Sequence, residues 1–220
     1  MDNRVFITEC PRDAMQGIKD WIETQDKIDY LNTLLKCGFD TLDFGSFVSP
    51  KEIPQMQDTA AVLEGLQESD TKLLAIIANE RGAEDASKFE RIQFLGYPFS
   101  ISETFQLRNT NATIEESLKR VEAIANICHK EDKELVLYLS MGFGNPYGDN
   151  WSPDLIASWS ERLTQLFEVS RLSLSDTIGA ATPELVNQVF STISAEFSNI
   201  QISAHLHTLP ENAVKLTEAA

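Results

Sequence analysis

A chain of 220 residues with 42% hydrophobic and 24% charged residues has the composition of one ordinary globular domain, 1–220, and excludes a disordered or membrane-embedded chain. No run approaches the ~20 consecutive apolar residues of a spanning helix, so the chain reads as untargeted, cytoplasmic and without a membrane partner. The net charge of −16 argues against nucleic acid, which needs lysine and arginine clustered on one face, and any anionic substrate would need a local positive region within a repelling field.

Short runs rich in β-branched and aromatic residues alternate with longer amphipathic stretches, the pattern of an α/β protein whose parallel strands are joined by crossover helices. In chain order, strands are predicted at Val5–Thr8, Thr41–Phe44, Leu73–Ala78, Ile92–Gly96, Leu135–Ser140, Leu172–Ser175 and Ile200–His205, with boundaries good to ~2–4 residues. Helices are predicted at Lys27–Lys36, Thr59–Gln67, Glu84–Glu90, Ile114–Lys130, Pro153–Phe167 and Pro183–Phe197. Thr113 with Glu116 three residues on, and Ser152 followed by Pro153, are helix-start signals. The three cysteines, Cys10, Cys37 and Cys128, form no Cys-x-x-Cys pair and read as small buried hydrophobes.

In such a repeat the reactive groups sit just after the strands. After the first strand, Arg12-Asp13 places a guanidinium beside a carboxylate; alone, this dipeptide reads first as an exposed ion pair in a loop. After the seventh come His205 and His207, two of only three histidines in the chain. Their spacing in a strand points both rings to one face. A metal role and a pair of core histidines bonded to backbone carbonyls are evenly balanced. His129, near a polar helix end, reads as a solvated cation at the helix C-terminus. Carboxylate with imidazole suits Mg²⁺ or Mn²⁺ rather than a thiolate zinc site.

The segment from Phe44 to Met56 (FGSFVSPKEIPQM) closely resembles the hydroxymethylglutaryl-CoA lyase family. So do Cys10-Pro11-Arg12-Asp13 with Gln16, Ser175-Asp176-Thr177-Ile178-Gly179 with Thr182-Pro183, and the spacing of His205 and His207; as a set these matches span nearly the whole chain. The resemblance implies a TIM-type (β/α)8 barrel and metal-dependent cleavage of an acyl-CoA substrate, 3-hydroxy-3-methylglutaryl-CoA, to acetyl-CoA and acetoacetate, a reaction of leucine degradation and ketone-body formation. It makes Asp13, His205 and His207 the metal ligands, with Arg12 neutralising the enolate oxyanion. Asp43 stands in the same site where the family usually has Glu, and Ala14 where it commonly has Gly. Catalysis would fall to Arg12, Asp43 and His205. Arg12, Gln16, Asn79, Ser140, Ser173 and Thr177 would meet the substrate, and Lys19 and Lys51 the coenzyme A phosphates.

The sequence ends in what reads as the helix after the seventh strand. The eighth βα unit, with the family's cysteine-bearing loop and later asparagine ligand, is expected to be missing. An open sheet edge implies weak folding, aggregation or association into a homodimer, and little turnover. The alternatives are a Claisen-condensing synthase of the isopropylmalate, citramalate or homocitrate type, against which the Ser46–Met56 segment argues, and an inactive lyase fragment.

Overall fold

The computed structural model of the protein describes residues 4–194, 197 and 200–220. The strands are β1 (Thr8–Glu9), β2 (Thr41–Ser46), β3 (Lys72–Ile76), β4 (Ile92–Ser100), β5 (Glu134–Ser140), β6 (Arg171–Asp176) and β7 (Gln201–Leu206), in sequential sheet order. The helices are α1 (Pro11–Gln16), α2 (Thr24–Leu34), α3 (Thr59–Gly65), α4 (Glu80–Ser87), α5 (Glu103–Thr110), α6 (Ile114–Lys130), α7 (Pro153–Phe167), α8 (Pro183–Ser194) and α9 (Pro210–Ala219). No helix among the described residues is long and apolar enough to cross a membrane.

The chain divides into two compact units, the first running to Gly96 with Ile127–Lys133, the second Tyr97–Asn126 with Glu134–Ala220. In the first, β1 pairs with β2, β2 with β3 and β3 with β4, all parallel. In the second, β5 pairs with β6 and β6 with β7, also parallel. Side chains alternate across these strands, so Leu137, Leu139, Leu172 and Leu174 are buried on one face while Tyr138, Ser140, Ser173 and Ser175 share the other. A hydrocarbon face against a hydroxyl-bearing one is the chemistry of strands that pack on helices on one side and line a site on the other.

Several boundaries move. The first strand forms at Thr8–Glu9 and not at Val5–Thr8; Val5, Phe6 and Ile7 are 78%, 58% and 54% exposed. β-branched residues favour strands chiefly where a neighbour covers them. α4 begins at Glu80, not Glu84, because Asn79 caps it by accepting from Gly82 N–H at 3.0 Å. Gly82 weakens the helical signal in the sequence, yet a Cβ there would lie 2.9 Å from the Phe47 carbonyl oxygen, so close packing requires it. α5 has no counterpart among the predicted helices: Gln106 is its one buried residue, leaving no apolar periodicity to read. The Thr113–Glu116 box and the Ser152 cap both form. The predicted end of the helix from Pro183 lies partly outside the described residues.

The Phe44–Met56 segment explains itself in packing terms. The register of β2 against β3 shifts between Asp43 and Gly45, a bulge that re-aims the side chains around it. Gly45 then lies against Thr59, whose hydroxyl accepts from Ser46 N–H at 3.1 Å and donates to the Met56 carbonyl at 2.8 Å. A Cβ on Gly45 would sit 2.5 Å from Thr59 Cγ2. Because both hydroxyl bonds fix the Thr59 rotamer, Gly45→Ala is expected to cost ~1–3 kcal/mol in urea unfolding. Adding Thr59→Ser, which keeps the hydroxyl and removes the methyl, should recover part of it; an unchanged midpoint for Gly45→Ala would refute the clash.

Candidate active site at the strand ends

In the first unit the site is built around one guanidinium. β1 ends at Glu9, and Pro11 starts α1 without needing a backbone donor. The next residue, Arg12, is only 6% exposed and points at Asp43, which is 0% exposed. Arg12 Nη2 donates to Asp43 Oδ2 at 2.6 Å, and Nε lies 3.1 Å from both Asp43 oxygens. Nη1 donates to Asp13 Oδ1 at 2.8 Å and to Gln16 Oε1 at 2.9 Å. Gln16 Nε2 in turn donates to Asp13 Oδ1 at 3.1 Å.

The expectation of an exposed ion pair in a loop is therefore not met: Arg12 and Asp13 lie on a helical turn, and Arg12 is buried against a strand carboxylate that sequence adjacency does not reveal. A buried pair of this kind stabilises modestly when complete, but losing one partner costs ~3–5 kcal/mol because the other charge is stranded. Asp43 fixes the fork of Arg12, and only the planar guanidinium can make that bidentate contact while its remaining N–H groups point elsewhere. Ala14 follows in ordinary helix, so its place in the family's glycine position carries no backbone strain.

In the second unit the histidines behave as their spacing suggests. His205 lies in β7 opposite Ser175, and His207 follows the end of the strand. Their Nε2 atoms converge to 3.1 Å. Two ligands about 2.1 Å from one ion at right angles stand ~3.0 Å apart, so the pair fits a divalent ion. The Tyr138 ring meets His205 edge-on at 5.6 Å and constrains its orientation. Sequence reasoning misses Tyr138, and only its alternation with Ser140 along the strand could have signalled it.

Ser140 closes β5, whereas Ser173 lies inside β6 and not after it, and both are buried. Thr177 Oγ1 accepts from Met141 N–H at 2.9 Å, holding Met141 at a left-handed φ of 61°. Such a conformation in a non-glycine residue persists only where its surroundings enforce it. Asp176, 1% exposed, accepts from the N–H groups of Ala180 and Ala181 and so shapes the turn after β6. Asn79 serves as the α4 cap already described. Lys19 and Lys51 are exposed, and His129 is exposed at the last turn of α6, as its solvated reading requires.

Cys10 stands two residues before Arg12 in the chain, and its surroundings disfavour the thiolate. Burial and then the Asp43 carboxylate push its thiol up to about 12, and burial does the same for Cys128, also to about 12. Cys37 is exposed, against the expectation of a buried residue. Cys10 is half-buried and only Cys128 is buried; the thiolate is the reactive form, so alkylation near pH 8 should label Cys37 first in the folded protein, Cys10 more slowly and Cys128 only on unfolding. Mapping the labelled peptides by mass spectrometry checks this; Cys10 reacting as fast as Cys37 would contradict its shielding.

A repeating parallel β/α chain has the architecture of the α/β-barrel enzymes, which carry their chemistry at the C-terminal ends of the strands. Residues 5–220 match the family model described as HMGL-like, and the chain belongs to that family. The hydroxymethylglutaryl-CoA lyase YngG of Bacillus subtilis is 36% identical over 209 residues, covering 93% of this chain and 68% of that protein. The crystal structure of the Bacillus subtilis HMG-CoA lyase superposes with a TM-score of 0.91 at 34% identity, over 98% of this chain and 72% of that one. An HMG-CoA lyase from Acinetobacter baumannii, solved in complex with coenzyme A and 3-methylmalate, gives 0.89 at 28% identity over 97% and 70%. The fold class is thus the TIM-type barrel that the resemblance implies, represented in this chain by seven strands among the described residues.

Proposed function

We propose that the protein is a divalent-metal-dependent carbon–carbon lyase that cleaves 3-hydroxy-3-methylglutaryl-CoA to acetyl-CoA and acetoacetate. The observation that carries this reading is the convergence of the His205 and His207 Nε2 atoms at 3.1 Å in a chain whose relatives are named as such lyases. Asp13, His205 and His207 are the proposed ligand set, one carboxylate and two imidazoles, a hard-to-borderline donor set suited to Mg²⁺ or Mn²⁺. A bound divalent ion would supply a Lewis acid that chelates substrate oxygens and lowers the pKa of the tertiary hydroxyl.

The hydroxyl proton passes to water, and the electron pair of the O–H bond forms the ketone of acetoacetate as the bond between C2 and C3 breaks. The electrons of that bond pass into the thioester as an enolate. Protonation at C2 completes acetyl-CoA. Arg12 is proposed to face the developing thioester oxyanion: it is permanently charged, and its burial beside Asp43 holds it in place before the charge appears. Asp43 acts through Arg12 and is a positioning residue in this scheme. Ser140, Ser173, Asn79 and Thr177 are proposed to bond the acyl portion or steady the ligand shell, and Lys19 and Lys51 to meet coenzyme A phosphates.

Acetoacetate release from hydroxymethylglutaryl-CoA, with Mg²⁺ or Mn²⁺ and with chelator, tests the assignment. Release is expected to require metal and to fall at least ~100-fold in Asp13→Ala, a loss in the range of a misplaced catalytic assembly. Release insensitive to chelator and to that substitution would sink the metal-dependent lyase reading. Condensation of acetyl-CoA with a 2-oxo acid, without acetoacetate release, would favour the synthase alternative.

A further inference from the structure

The stretch between α1 and α2, residues 17–23, has neither helix nor strand, so its backbone groups need partners from elsewhere. One side chain supplies three. Gln55 Nε2 donates to the carbonyls of Ile18 at 3.1 Å and Asp20 at 2.8 Å, while its Oε1 accepts from Ile22 N–H at 3.1 Å. Gln55 is 4% exposed, and these bonds use both of its donors and its acceptor. Its own backbone carbonyl accepts from Lys27 Nζ at 2.6 Å. That ammonium is also buried, at 2% exposure, paired with Asp58 at 2.8 Å and set 3.9 Å from the centre of the Trp21 ring. The stretch is therefore gripped along its backbone by Gln55 and through Trp21 by Lys27.

A connecting loop does not need a desolvated ammonium to hold it, since burying such a charge is costly until its partners offset it. What the grip controls is the exit of α1. That helix is a six-residue element, too short to hold itself. Gly17 follows it as a joint with open space where a Cβ would stand, and the first Gln55 bond falls on the very next residue. Gln16, just before the joint, bridges Arg12 to Asp13.

We propose that Gln55 is a positioning residue of the acyl-CoA site, fixing the backbone beyond Gly17 so that Gln16 can hold Arg12 and Asp13 in register. The proposal rests on the lyase reading for its kinetic consequence and on the three bonds for its structural one.

The experiment is a double-mutant cycle on the full chain. Gln55→Leu keeps the volume and removes all three bonds; Gln16→Ala removes the bridge. Each is expected to lower kcat by about 10- to 100-fold, the scale of a sub-ångström to ångström displacement at a reacting group, with KM changing less than about threefold. The pair together should cost no more than the worse single change, because they act in series. Losses that multiply, or an unchanged kcat in Gln55→Leu, overturn the proposal. Should Gln55→Leu not fold, Gln55→Glu, which keeps the acceptor for Ile22 N–H and loses both donors, is expected to show the same pattern. Tryptic cleavage after Lys19, followed in parallel, should be roughly tenfold faster in either Gln55 variant, since the opening of a local segment controls such cleavage. A wild-type chain that releases no acetoacetate defeats the lyase reading alone; an unchanged cleavage rate after Lys19 defeats the Gln55 proposal alone.

Discussion

A buried guanidinium must be neutralised and fully bonded or the fold around it is lost, and that requirement organises the first unit of this protein. Arg12 can be 6% exposed only because Asp43, 0% exposed, meets it across 31 residues of sequence. Beside Asp43 the register of β2 against β3 shifts toward Gly45, and Gly45 fits against Thr59 because it has no Cβ. The buried ion pair and this close-packed glycine therefore lie side by side on one strand.

The same demand shapes the chemistry. A carboxylate that grips a guanidinium on one edge leaves the direction of its other N–H groups fixed, and Asp13 and Gln16 lie in that direction. The second unit contributes a different kind of order. There a strand alternation places hydroxyls and imidazoles on one face and leucines on the other, and Tyr138 constrains the ring of His205.

Much of this is legible in the sequence. The alternation of strand-like and helical runs yields the parallel repeat, and the i, i+2 spacing of His205 and His207 foretells their convergence because strand geometry is periodic. Less legible is anything that depends on a distant partner. Arg12-Asp13 reads locally as a surface pair, since nothing nearby in sequence announces Asp43. Gln55 sits in the Phe44–Met56 segment that carries the family resemblance, but its three backbone partners lie 33 to 37 residues away. α5 has no apolar stripe, and the Val5-Phe6-Ile7 run has strand propensity but leaves its side chains exposed, with the Ile7 backbone bonded to Asp40 and Thr41. Local pattern gives elements; tertiary hydrogen bonds give the site.

The most direct test of the Arg12–Asp43 pair is turnover of Arg12→Lys, with Mn²⁺ binding measured on the same protein by calorimetry. Lysine keeps the positive charge and loses the planar fork, so if the Asp43-fixed fork is what stabilises the oxyanion, kcat should fall by ~100-fold or more while Mn²⁺ affinity stays within a few-fold. Turnover within about threefold of wild type would show that charge alone suffices and would contradict the central role of the fixed fork.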